Sequence, residues 1–217
     1  MLFAAAIAGA GLPFMIVELL RRSCAIDPQP RAAGLFLAGA ATGFVALVAE
    51  QLVWPYVAPL VPAAHVPFVR AFFVIAVIEE TAKLGLIAGQ LSQDEPADYR
   101  GFAILAAAVG AGFAGAENAL YVFGHGPAVI VGRICTATPF HICNAIVASR
   151  LLWLGFRRNE PGYLAAALLV SVALHGLYDY SILTDTLGHG RFWFALAMTG
   201  GIALGLLRQP AGSAAKQ

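Results

Sequence analysis

The sequence predicts an all-α, polytopic membrane bundle of about seven transmembrane helices, and three observations predict it. Apolar residues make up 60% of the 217-residue chain and charged residues only 12%, against about 45–50% and about 25% in a soluble domain. Seven stretches reach the roughly 20 mostly apolar residues a spanning helix needs, at 2–20, 33–54, 66–91, 101–123, 128–154, 161–183 and 191–207. The connections between them are short and rich in turn residues. Little chain is left for a soluble domain, so residues 1–217 read as one integral-membrane domain.

The elements follow in order. The first stretch stops at Arg21-Arg22 and Pro28-Gln29-Pro30. A cleaved signal peptide carries its positive charge ahead of the apolar run, whereas here it follows, so the segment reads as a retained helix. Trp54-Pro55, Pro62 and Pro67 separate the second stretch from the third, and Ser92 to Arg100 follows the third. Gly124-His125-Gly126-Pro127 predicts a tight turn after the fourth. Arg157 to Gly162 and Thr184 to Arg191 close the last two connections.

Cytoplasmic loops concentrate Lys and Arg. Loops after the odd-numbered stretches, with the C-terminus, hold Arg21, Arg22, Arg31, Arg100, Arg157, Arg158, Arg208 and Lys216; the other side has little beyond Arg70 and Arg191. This predicts the N-terminus outside and the C-terminus in the cytoplasm. Small-residue pairs Gly39/Gly43, Gly85/Gly89 and Gly201/Gly205 suit close helix packing. No repeat relates the two halves, which argues against an inverted-repeat transporter. Three scattered cysteines make no disulfide or zinc-ribbon framework. With a formal charge of +1 and no basic tract, nothing points to nucleic acid.

Carboxylates and histidines inside the apolar stretches carry the chemistry. A charge at the bilayer centre costs about 2.5–3.5 kcal/mol on insertion scales, so each needs a reason. Glu79, Glu80 and Lys83 share one broad helix face, Lys83 being four residues from one glutamate and three from the other. A Glu–Lys pair explains one carboxylate and leaves the second as a candidate general base. Glu117 follows Phe113 by one turn and adjoins Asn118; the run Gly110 to Ala116 has so little bulk that a neighbour can come close. His141 follows Thr136, Thr138 and Pro139, with Arg133 two turns earlier as a partner for a carboxylate or headgroup. His175 and Asp179, four apart, share a face, and Asp179 can orient the imidazole or ligate a metal. Counted from the predicted ends, Glu80 and His141 fall near mid-span and Glu117 and His175 in the outer half. Glu18 and Glu50, near helix ends, are left outside the site.

Laid out this way, the chain resembles the PrsW-type intramembrane proteases, a group related to the CaaX prenyl proteases and bacteriocin-processing membrane enzymes. The matching elements are Glu79-Glu80-x-x-Lys83, Phe113-x-x-x-Glu117-Asn118, His141 and His175-x-x-x-Asp179, in order over residues 79–179. A lysine and Glu117 stand where the CaaX branch shows an arginine and a Phe-x-x-x-His motif, which favours the PrsW branch. The resemblance implies peptide-bond hydrolysis in or beside the bacterial plasma membrane. It also implies a membrane-protein or peptide substrate, anti-sigma-factor-like proteins being one class.

The reading that follows is a membrane endopeptidase with Glu79, Glu80, Glu117, His141, His175 and Asp179 as catalytic candidates. Glu80 leads for water activation, with Glu79 sharing that role or pairing with Lys83. Glu117, His141 and His175 form a two-histidine, one-glutamate set of the type that binds catalytic zinc, with Asp179 as orienting group or substitute ligand. A metal-free version, in which histidines stabilise the oxyanion, stays open. Two rivals use the same residues: a proton- or ion-coupled transporter, and a scaffold subunit like Aph-1.

Overall fold

The computed structural model describes residues 1–93, 98–184 and 190–209; they are mostly helical, with short non-helical connections and no strand among them. Lys216 and the middles of two predicted connections lie outside the described residues. The helices are α1 (Leu2–Ser23), α2 (Ala32–Val57), α3 (Val66–Val69), α4 (Ala76–Gln93), α5 (Tyr99–His125), α6 (Val129–Cys135), α7 (Ala137–Arg158), α8 (Gly162–Leu183) and α9 (Arg191–Leu207). A π-helical turn, Arg70–Ile75, joins α3 to α4.

Among the described residues, five helical stretches are long and apolar enough to cross a membrane: Leu2–Ser23, Ala32–Leu60, Tyr99–His125, Val129–Arg158 and Gly162–Leu183. The expected count of seven is not reached by that measure. The predicted third span is helical, but the π turn interrupts it and Glu79, Glu80 and Lys83 lower its hydropathy. The seventh is a shorter apolar helix, Phe192–Leu207. The predicted fifth span is broken at Thr136, between α6 and α7. Pro139 accounts for the break: it has no N–H to donate, and its ring crowds the carbonyl four residues back, at Cys135.

α5 is the axis of the bundle, buried without a break from Gly101 to Ala116. It packs against α1, α2 and α7, and glycines set how closely. A Cβ on Gly112 would overlap the Phe36 carbonyl, and one on Gly39 the Val109 carbonyl, so α2 and α5 meet backbone to backbone. A Cβ on Gly115 would come within 2.6 Å of the Ala10 oxygen, and one on Gly110 within 2.5 Å of the His141 oxygen. The second contact brings α7, and with it His141, against α5. Of the predicted pairs, Gly39/Gly43 lies in the α2–α5 contact; Gly85, Gly89, Gly201 and Gly205 have nothing near where a Cβ would go. The predicted turn after α5 is present, and Gly126 takes φ +87° there, where glycine has no Cβ to clash. Gly176 on α8 receives the Phe72 ring of the π turn, beside His175.

Candidate active site

α4, α5, α7 and α8 each contribute polar side chains to one buried layer. From α4, Glu79, Glu80 and Lys83 are 4%, 1% and 2% exposed. Lys83 Nζ lies 2.5 Å from Glu80 Oε1, 3.4 Å from Glu79 Oε2 and 3.2 Å from His141 Nδ1. It also stands over the Phe113 ring at 4.3 Å from the centroid. This gives Phe113, one turn before Glu117, a physical role: it closes the apolar side of the lysine by a cation–π contact.

Donor and acceptor chemistry sets the two imidazoles. An ammonium only donates, so His141 Nδ1 accepts from Lys83, and Nε2–H is left for Glu117 Oε2 at 2.7 Å. An ionised carboxylate only accepts, so His175 Nδ1–H donates to Glu80 Oε1 at 2.6 Å. His175 Nε2 then faces Asp179 Oδ2 at 3.4 Å and Glu79 Oε2 at 3.7 Å. The two rings stand edge to face, centroids 5.1 Å apart. Phe140, stacked on Tyr178 at 4.4 Å, packs against His175.

Glu117 is held from α6 as well. Arg133 reaches it at 3.1 Å, donates to Asn118 Oδ1 at 2.8 Å, and lies over the Tyr121 ring. Asn118 donates in turn to the Gly9 carbonyl and to Thr138. The Glu117-Asn118 pair thus ties α1, α6 and α7 onto α5. It is also why the short α6 docks where it does.

A cavity of about 310 Å³ reaches this layer. Glu79, Glu117, His141, His175 and Asp179 line it, whereas Glu80 and Lys83 do not. Its other walls include Gln51, Arg70, His125 and Leu183, so it extends to the end of the bundle where α2, α5 and α8 finish.

The comparison with known families decides what this arrangement belongs to. A family model described as PrsW family intramembrane metalloprotease matches residues 27–206. The chain belongs to this family. No curated protein and no solved structure matches it significantly. As a PrsW-family member it is a membrane-embedded protease, which sets aside the transporter and scaffold readings, and its substrate is a membrane protein in a bilayer.

The family name implies a metal, and the residues present fit one. Glu79, Glu80, His141 and His175 each offer a ligand atom, and these lie within 4.8 Å of one another. Imidazole nitrogen and carboxylate oxygen are the donors of catalytic zinc sites. Charge points the same way. Among the described residues, Lys83 and Arg133 are the fixed cations within ion-pair range of Glu79, Glu80, Glu117 and Asp179, so four ionised carboxylates would face two cations. A divalent ion neutralises such an excess.

All six sequence-predicted residues come together, although the grouping differs from the expected one. Glu117 is not in the close donor group; it is engaged by Arg133 and His141. Asp179 faces His175, as an orienting carboxylate would. Sequence reasoning left out Glu50, which lines the cavity beside Glu79. α2 runs on through Pro55 to Val57, so Glu50 sits more than a turn inside the helix. Glu18, also left out, pairs with Arg21 and Arg22 away from the site.

Proposed function

We propose that the chain is a single membrane domain whose protease site is drawn from residues 79–179, with zinc held by His141, His175 and Glu80 and with Glu79 as general base. The observation that carries this reading is the buried Glu79–Glu80–His141–His175 group at the edge of a cavity inside the bundle. When bound, the ion supplies Lewis acidity that polarises a peptide carbonyl. The chain's own residues do the rest.

Glu79 is preferred over Glu80 as base because it lines the cavity, whereas Glu80 is turned inward to Lys83 and His175. It takes a proton from the attacking water as oxygen bonds to the carbonyl carbon. As the C–N bond breaks it passes a proton to the departing amine. Glu117 fixes the His141 ring through Nε2; were an ion to take the Nδ1 lone pairs in place of the present partners, the His175 proton would stand on Nε2, where Asp179 faces it as a carboxylate behind a ligating histidine does. Lys83 holds Glu79 and Glu80 in place through its two ion pairs.

The positive-inside pattern supports a cytoplasmic C-terminus and a cavity on the outer side of the bacterial plasma membrane, so cuts are expected near the outer surface. Anti-sigma-factor-like membrane proteins are the substrate class that fits the PrsW family best. The test is a survey of new membrane-protein termini in cells making equal amounts of wild type, Glu79→Gln and Glu80→Gln. The reading predicts termini present with wild type and absent with Glu79→Gln. Full cleavage by Glu79→Gln would refute its assignment as base, and cuts confined to the cytoplasmic side would refute the orientation.

A further inference from the structure

Arg70 is the cation of the cavity wall that the catalytic reading leaves unused. It is partly buried, lines the same cavity as Glu79 and His175, and lies 5.4 Å from the centroid of the Trp54 ring. Among the described residues it makes no ion pair. The other cation of the wall, Arg133, is consumed by Glu117 and Asn118. An arginine beside a membrane site, aimed into a cavity and without a carboxylate, is poised for an anion brought from outside.

The π turn is what puts it there. Arg70, Ile75 and Glu79 all line the cavity. Their spacing is five residues and then four: the repeat of the π turn, Arg70–Ile75, followed by the repeat of α4. In an uninterrupted α-helix the position one turn before Ile75 is Ala71, and Arg70 would stand about 140° around the helix from Ile75. The turn is fixed in place by Phe72 seated against Gly176, the residue after His175. π turns recur at functional sites, and here the consequence is specific. Along the helix Arg70 stands roughly 12–14 Å from Glu79, the length of roughly three to four residues of extended peptide.

We propose that Arg70 forms a specificity subsite for a carboxylate of the substrate, an acidic side chain or the chain end, three to four residues from the scissile bond. The proposal rests on the catalytic assignment above, since it takes Glu79 as the point of cleavage. A charge-assisted, bidentate contact of this kind is worth roughly ten- to hundredfold in apparent affinity.

The test extends the survey of termini to Arg70→Gln and Arg70→Lys, with Glu79→Gln as the inactive control. Wild-type cuts are expected to share Asp, Glu or a chain end at that distance, the cuts that remain with Arg70→Gln to lose the preference, and Arg70→Lys to keep part of it. Peptides spanning one such site, assayed in nanodiscs of neutral lipid, leave the protein intact. Replacing the acid by its amide should raise KM ten- to hundredfold with wild type and far less with Arg70→Gln. An identical preference in Arg70→Gln overturns the subsite, as does an effect that follows anionic lipid content rather than the substrate's acid, which would make Arg70 a headgroup anchor. Termini that do not differ between wild type and Glu79→Gln would instead fell the catalytic assignment, and the subsite with it.

Discussion

Replacing Lys83 by methionine tests the electrostatics of the buried layer. The side chain is 2% exposed and close in volume to methionine, so the substitution removes a charge and leaves little cavity. What it strips away is the partner of Glu80 at 2.5 Å, the partner of Glu79 at 3.4 Å, a donor to His141 at 3.2 Å and the cation over Phe113. Removing one member of a buried ion pair costs about 3–5 kcal/mol, because the other charge is left uncompensated. At about 1.4 kcal/mol per decade, that is a loss of two to nearly four decades in the folding equilibrium. The assay is reversible unfolding in mixed micelles of wild type, Lys83→Met, Glu80→Gln and the double variant. Because the penalty comes from stranded carboxylates, the double variant should be more stable than Lys83→Met alone. A Lys83→Met protein within about 0.5 kcal/mol of wild type, or a double variant less stable than either single one, would refute the pairing.

Other expectations follow from the same geometry. His175→Ala should abolish cleavage while the protein still folds, and retention of activity on the identified substrate would remove His175 from the site. Glu117→Gln weakens the hold on His141, so metal affinity measured by competition with a chelator should fall about 10- to 100-fold. Gly112→Val drives a side chain into the Phe36 carbonyl and should lower thermal stability sharply, whereas Gly85→Ala meets nothing and should gain up to about 1 kcal/mol in helix propensity. Chelation should silence the enzyme, and zinc should restore it.

Much of this was legible from residue types and spacing. The apolar stretches gave the helices, because a bilayer demands length and hydropathy that few other structures share. The polar residues inside them stood out because burying each is costly, and the four-residue spacings of Glu79 and Lys83, and of His175 and Asp179, predicted shared faces that the structure contains. What spacing cannot supply is the pairing across helices. That Glu117 is taken by His141 and Arg133, while Glu80 is taken by His175, depends on how far α7 slides on α5, and Gly110 against the His141 carbonyl sets that. The α6–α7 break was written in Pro139, yet the surrounding apolar run conceals it. Glu50 was misplaced because Trp54-Pro55 reads as a stop although α2 continues through it. The π turn is the least legible element. Its six residues are ordinary helix formers, and only their fit between α2 and α8 distinguishes them from a regular turn.

The metal content of the purified protein bears most directly on the account. Elemental analysis with X-ray absorption on wild type and on His141→Ala/His175→Ala should find roughly one zinc ion per chain bound by nitrogen and oxygen donors in the first, as in catalytic zinc sites, and none in the second. A wild-type protein that cleaves its substrate without metal, or a double variant that keeps the ion, would contradict the assignment of this buried group as the metalloprotease centre.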